Sequence, residues 1–214
     1  MTERKTLWPH QERAISLLRQ SVGQGHRRVV VQAPTGFGKT LLASRIVEGA
    51  RNKGNRVIFT APAVSLIDQT VDAFEADGLM GIGVMQANHP RTNSAMPIQV
   101  ASVQTLARRD IPEAAVVLVD ECHLQFAAIN DMMDQMPGAT FVGLSATPWA
   151  KGMGLRWQDM VTPATTVDLI RDGYLSKFRV MAPDVPDLAG VKIRGGDYVE
   201  AALAEIMGDA KLVG

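Results

Sequence analysis

Apolar positions near the start of the chain fall at helical spacing. Ala14, Ile15, Leu17 and Leu18 follow Pro9, a residue suited to a first helical turn, and predict a helix over residues 9–20 that ends near Gly23. The β-branched run 29–31 reads as a short buried strand. A glycine-rich turn leads from it to residues 39–49, where Leu42, Ile46 and Val47 restore the helical period. The alternation then repeats, with a strand over 56–61, a break at Pro62, an amphipathic helix over 64–74 and the turn signal Asp77-Gly78.

Further along, the pattern predicts a strand over 98–102, a brief helix over 104–108, a fully buried strand over 114–119, a helix over 124–136 and a last strand over 139–145 before Pro148. Strands alternating with helices at this spacing argue for an α/β fold, a doubly wound parallel sheet with helices on both faces, over roughly residues 1–160. Residues 161–214 are punctuated by Pro163, Pro183, Pro186, Gly190, Gly195 and Gly196 and hold one short predicted helix over 198–207. They read as an extension or linker.

Composition narrows the class. The 214 residues suit one complete α/β domain, and 46% hydrophobic with 21% charged residues is enough apolar material for a core. The single cysteine, Cys122, excludes an intramolecular disulfide framework and a cysteine-built zinc cluster, so a reducing, cytoplasmic setting is expected. No apolar run has the length of a membrane span, and no membrane association is expected. Twenty-two basic residues balance 22 acidic ones, so any nucleic acid must be held by local contacts rather than by a basic field over the whole domain.

The candidate chemistry lies at two strand ends. Ala33, Pro34, Thr35, Gly36, Phe37, Gly38, Lys39 and Thr40 stand between a predicted strand and a predicted helix, the context of a phosphate-binding loop. Gly36 and Gly38 allow the backbone to curl with its N–H groups inward, and the helix adds the positive end of its dipole. Lys39 is then placed for the outer phosphates and the Thr40 hydroxyl for Mg²⁺, while the alternative is an ordinary glycine-containing turn. The strict pattern with glycine at its first position is broken by Ala33.

Asp120 and Glu121 follow the buried strand 114–119 directly, which is where open parallel sheets present ligands. Asp120 is a candidate metal ligand, and Glu121 a candidate to orient or deprotonate a water at the γ-phosphate. Taken alone, such a pair is also an ordinary helix cap with a solvated neighbour. Cys122 lacks a thiol partner and His123 lacks a second histidine at ligand spacing, so a metal site of their own is not expected.

Together these segments resemble the first RecA-like domain of a superfamily 2 DExH-box helicase or translocase, a P-loop NTPase fold, over about residues 5–180. In that family motif I opens on Ala or Gly, which accommodates Ala33. Motif II corresponds to Asp120-Glu121-Cys122-His123 and motif III to Ser145-Ala146-Thr147. The resemblance implies that Lys39, Asp120 and Glu121 are catalytic, that ATP and Mg²⁺ are the cofactors, and that His123, Ser145 and Thr147 couple the nucleotide site to the nucleic-acid path. It makes Gln11 the residue that reads the adenine edge and leaves Trp8 able to stack on the base. Pro62, Ser65 and Gln69 match motif Ia, and Gln104 and Thr105 match the later strand-binding motif, which in the family track the phosphates of one nucleic-acid strand. Residues 162–175, with Gly173-Tyr174-Leu175, resemble the run toward a second domain in RadD-like and related members.

The expected protein is therefore an ATP-binding lobe that couples Mg²⁺-dependent ATP hydrolysis to movement on nucleic acid, DNA rather than RNA. The expected second partner is another RecA-like domain that completes the site, in cis or in trans, for which this length leaves no room. A duplex-translocating subunit of a restriction or remodelling complex and a non-catalytic binding module switched by nucleotide are the rival readings.

Overall fold

The computed structural model describes residues 5–86, 88–178, 193–194 and 197–198. The chain divides into two compact units, Met1–Leu175 and Ser176–Gly214. In the first, seven strands form one sheet: β1 (Arg28–Gln32), β2 (Val57–Ala61), β3 (Ile82–Met85), β4 (Ile98–Ser102), β5 (Val116–Asp120), β6 (Thr140–Ser145) and β7 (Asp159–Val161), ordered β3-β4-β2-β5-β6-β1-β7. Every neighbouring pair is parallel, as the alternation predicts. In the second unit, Ile193–Arg194 and Asp197–Tyr198 form an antiparallel pair. The helix expected over 198–207 lies, apart from Tyr198, outside the described residues.

The helices are α1 (Pro9–Gly23), α2 (Lys39–Arg51), α3 (Ile67–Ala76), α4 (Val103–Leu106), α5 (Ala127–Gln135) and α6 (Thr166–Arg171). Successive strand side chains point to opposite faces, so the sheet has two cores. On one face Val29, Val31, Phe59, Leu118 and Leu144 meet Leu18, Leu42, Val47, Val71 and Phe74. On the other, Val30, Ile58, Val117, Val119 and Phe141 meet Leu106, Ile129, Met132 and Met133. Burial on both faces is why the strands read as nearly continuous apolar runs.

Several expected boundaries move. The helix expected over 64–74 begins as a tight turn at Val64–Leu66 before α3, and the one expected over 124–136 is preceded by a similar turn at Cys122–Leu124 and starts at Ala127. Strands β3 and β7 and helix α6 have no counterpart in the sequence reading; each is short, and β3 and β7 are the sheet edges. The first unit runs past the boundary expected at 160: β7 pairs with β1, and α6 is opened by a capping box between Thr165 and Asp168. Among the described residues no helix is long and apolar enough to cross a membrane.

Candidate functional site

The site is set by register. Asp120 lies opposite Leu144, and Ser145 opposite Gln32, so β5, β6 and β1 end side by side at one level. The three polar motifs leave the sheet from three adjacent strands.

After β1, the loop 33–38 curls into α2 with Gly36 at φ 80° and Gly38 at φ 81°, conformations that glycine adopts without a Cβ penalty. Gly38 is the N-cap of α2, and no side chain caps that helix. Its first N–H groups therefore face the loop without an intrahelical partner, a geometry that suits an anion. Thr35, Gly36 and Thr40 are exposed, whereas Phe37 is fully buried and anchors the loop to the core.

Helix α1 holds this loop from behind. The fully buried Gln11 donates from Nε2 to the Phe37 carbonyl at 3.0 Å and the Gly38 carbonyl at 3.3 Å, and its Oε1 accepts the Trp8 N–H at 2.9 Å. Gln11, the expected reader of the adenine edge, has both ends of its carboxamide hydrogen-bonded within the protein. His10, also buried, has Nε2 3.2 Å from the Phe37 carbonyl, while its Nδ1 has no hydrogen-bond partner among the described residues. Burial holds the His10 imidazole below its ordinary pKa, against the opposing pull of that carbonyl. Trp8 lies 5.1 Å and His10 4.7 Å, centroid to centroid, from Tyr174, and Leu175 lies against Gly36. Sequence reasoning missed Tyr174 and Leu175 as neighbours of the loop, since nothing local to α6 signals where its end will pack.

Across β6 stand the acids. Lys39 Nζ donates to Glu121 Oε1 in an ion pair about three-quarters buried on both sides. Glu121 adopts φ 48°, unusual for a residue with a side chain, which turns the chain sharply out of β5. Burial pushes the Asp120 carboxyl above its ordinary pKa and the Glu121 carboxylate adds to this, while the Lys39 charge and the Glu121 N–H oppose it. His123 Nδ1 lies 2.8 Å from Ser145 Oγ and 3.4 Å from Glu121 Oε2, and Ser145 Oγ accepts the Thr147 N–H at 3.1 Å. A continuous polar chain thus links Lys39, Glu121, His123, Ser145 and Thr147. Burial pushes the Cys122 thiol up to about 12, which leaves it an inert packing group. Its neighbour Gly143 is obligatory, since a Cβ there would lie 2.7 Å from both Cys122 Sγ and Trp157.

The remaining candidates occupy the next strand ends, at β2 and β4. Gln104 donates from Nε2 to the Pro62 carbonyl at 3.0 Å, joining the two segments. Ser102 caps α4 by accepting the Thr105 N–H at 3.3 Å. Ser65, Gln69 and Gln104 are exposed, with Arg108 and Arg109 exposed beyond them.

These residues fit a nucleoside triphosphate with Mg²⁺. The loop offers uncapped N–H groups and a lysine opposite two carboxylates, and no three His, Cys, Asp or Glu side chains among the described residues converge as a metal cage. The Asp120 carboxylate and the Thr40 hydroxyl are oxygen donors of the kind that bind Mg²⁺ together with phosphates and water.

A family model described as "Type III restriction enzyme, res subunit" matches residues 4–150. The chain is 24% identical over 191 residues to a 51.5 kDa protein of a Lactococcus phage, covering 84% of this chain and 38% of that one. It is 27% identical over 203 residues to a type I restriction enzyme EcoAI endonuclease subunit of Escherichia coli, covering 85% of this chain and 25% of the relative. The chain thus spans well under half the length of these curated relatives. Among solved structures, the UvsW helicase of bacteriophage T4 aligns with a TM-score of 0.64 at 18% identity, over 75% of this chain and 61% of that one. The ATP-dependent type ISP restriction-modification enzyme LlaBIII bound to DNA aligns at 0.61 and 15%, over 79% of this chain and 16% of that one. These two likenesses show the RecA-like fold.

Proposed function

This chain belongs to the family of the type III restriction enzyme res subunit, and we propose that it is the ATP-binding lobe of a motor that couples Mg²⁺-dependent ATP hydrolysis to movement on DNA. The observation that carries the reading is the Lys39–Glu121 pair facing across the end of β6, with Asp120 beside it and the uncapped start of α2 behind. In this reading Pro34, Thr35, Gly36, Phe37 and Gly38 shape the loop, its backbone N–H groups bind the phosphates, and Lys39 turns from Glu121 to the outer phosphate oxygens. Mg²⁺, when bound, supplies charge neutralisation between the outer phosphates, and Thr40 and Asp120 are the residues that would hold it. Glu121 orients a water for attack on the γ-phosphorus and takes its proton as ADP leaves.

His123, Ser145 and Thr147 form the coupling path to a nucleic-acid track made by Pro62, Ser65, Gln69, Gln104 and Thr105, where hydroxyls and amides hold phosphates without a large basic field. A second RecA-like domain, in the same polypeptide or another, supplies arginines to the γ-phosphate. A duplex-translocating restriction motor is the variant favoured by the EcoAI subunit and by the DNA-bound LlaBIII structure. A reducing, cytoplasmic setting belongs to the proposal and is supported by the lone, buried Cys122.

The test is equilibrium ATP binding by calorimetry, with phosphate release measured alongside single-stranded DNA, duplex DNA and RNA. Lys39→Ala is expected to weaken ATP by about 100-fold or more, in the range of lost charge-assisted phosphate contacts. Undiminished ATP affinity in that variant refutes the site. Phosphate release stimulated by duplex DNA supports the restriction-motor variant, stimulation by RNA alone overturns the choice of DNA, and no release under any condition favours a nucleotide-switched binding module.

A further inference from the structure

At the opposite end of the sheet the two helices that brace the phosphate loop leave a cleft of about 660 Å³ between them. Helix α1 presents Ile15, Leu18 and Val22 to it, and α2 presents Ile46, Gly49 and Ala50, each set at the spacing of one helical face, with Lys53 in the turn that follows α2. Val116, at the start of β5, and Val142, in the first half of β6, form the floor. Two glycines keep it open: Cβ atoms built on Gly23 and Gly49 meet nothing within 4 Å. Ile15, Val22, Ile46 and Val116 remain partly exposed, so two amphipathic helices and the sheet beneath them each leave apolar surface uncovered at the same place.

The charge of the rim is one-sided. Arg19, Arg27, Arg45 and Lys53 line the cleft, and no Asp or Glu does so among the described residues. Arg45 is committed, its guanidinium 3.8 Å from the Asp77 carboxylate and donating to the Lys5 carbonyl at 2.7 Å. The Arg27 guanidinium donates to the neutral Thr140 hydroxyl at 3.4 Å and has no ion pair among the described residues. Arg19 and Lys53 are exposed and have no ion pair among the described residues. Some exposed arginines elsewhere are answered by carboxylates, as Arg91 is by Glu75 and Arg171 by Asp168, whereas Arg108 and Arg109 are exposed without an ion pair among the described residues. An apolar trough with an uncompensated basic margin is complementary to a segment that is apolar on one face and acidic on its flanks.

We infer that this cleft is the docking site for an acidic amphipathic helix of a partner protein, which lays apolar side chains between α1 and α2 and sets its carboxylates against Arg19, Arg27 and Lys53. The mode is helix-in-groove recognition, read through anchors at i, i+3, i+4 and i+7. It is independent of the nucleotide chemistry proposed above and survives if that fails.

The probe is a fluorescein-labelled 16-residue synthetic helix with leucines on one face and glutamates on the flanks, titrated with the whole chain and followed by anisotropy. Its counterpart carries lysine at every glutamate position, and dodecanoate serves as a small amphiphilic anion. The acidic peptide is expected to bind, to weaken about tenfold or more in Arg19→Glu/Lys53→Glu, and to lose affinity with salt. Gly49→Phe is expected to fill the trough and abolish binding; the substitution lies at an ordinary helical position, so the variant keeps its fold, checked by circular dichroism. ATP binding in both variants should be unchanged. The inference is overturned if the acidic peptide does not bind, if the lysine peptide binds as well, if the charge reversal or Gly49→Phe leaves affinity untouched, or if dodecanoate alone binds the cleft.

Discussion

The two ends of the parallel sheet are built on opposite plans. At the carboxyl end the charges are matched across neighbouring strands: Lys39 finds Glu121, His123 lies between Glu121 and Ser145, and Gln11 satisfies the loop carbonyls behind them. At the amino end the cleft between α1 and α2 is mainly apolar, and Arg19 and Lys53, without an ion pair among the described residues, are of one sign. The first plan is preorganisation: polar groups are held where charge must be received, and the surrounding low dielectric makes misplacing any of them costly. The second is an unfinished surface, with apolar area and basic margin awaiting a complement. Both plans hang on the same helices, since α1 carries Gln11 at one end and Val22 at the other, and α2 runs from Lys39 to Arg51.

Substitutions that act at one end and spare the other sharpen this contrast. The largest effect is expected from Lys39→Ala, with its roughly 100-fold loss of ATP affinity and unchanged binding of the acidic peptide; a parallel loss of both would erase the distinction. Gly143→Ala should follow, because the added methyl meets Cys122 and Trp157. Overpacking of this kind costs about 1–3 kcal/mol, measurable by chemical denaturation, and adding Cys122→Ala should recover part of it. No loss in the single variant would mean that β6 can shift without disturbing the turn that carries Glu121.

Gln11→Ala leaves the Phe37 and Gly38 carbonyls without their donor, a cost of about 1–3 kcal/mol. If these hydrogen bonds persist with nucleotide bound, ATP and GTP should weaken equally; a loss confined to ATP would support the role of base reader. Gly49→Ala should act the other way, raising stability by about 0.5–1 kcal/mol through helix propensity alone, since nothing stands in the way of its Cβ. A destabilised Gly49→Ala would mean the trough is closed in solution. Smallest is a pH effect. His10 is held below its ordinary value of 6.5, so the unfolded chain takes up a proton that the folded one resists. Stability is full above that value and declines as pH falls below it, and thermal melts of His10→Phe should show a shallower decline than the parent.

Legibility followed the physics of each element. The five strands with long apolar runs were readable because burial on both faces demands continuous apolar sequence, as in Val116–Asp120. Strand β7 is three residues of an edge, Asp159–Val161, and carries no such signature. The loop and the two acids stood out in the sequence as polar residues at the ends of apolar strands, and the Ser145 motif stood out only through the resemblance to the helicase family. The carboxamide of Gln11, the contact of Leu175 with Gly36 and the crowding at Gly143 were not, since each joins residues far apart in sequence.

What the chain determines by itself is the alternation of strand and helix and the residue types at each strand end, because local periodicity and side-chain chemistry reside in the sequence. Tertiary structure decided the rest: that β6 lies between β5 and β1 so that Lys39 and Glu121 meet, and that α1 and α2 part at the far end to leave a basic-rimmed trough. Strand order and helix divergence depend on how whole elements pack, a balance among distant surfaces that no single stretch of residues encodes.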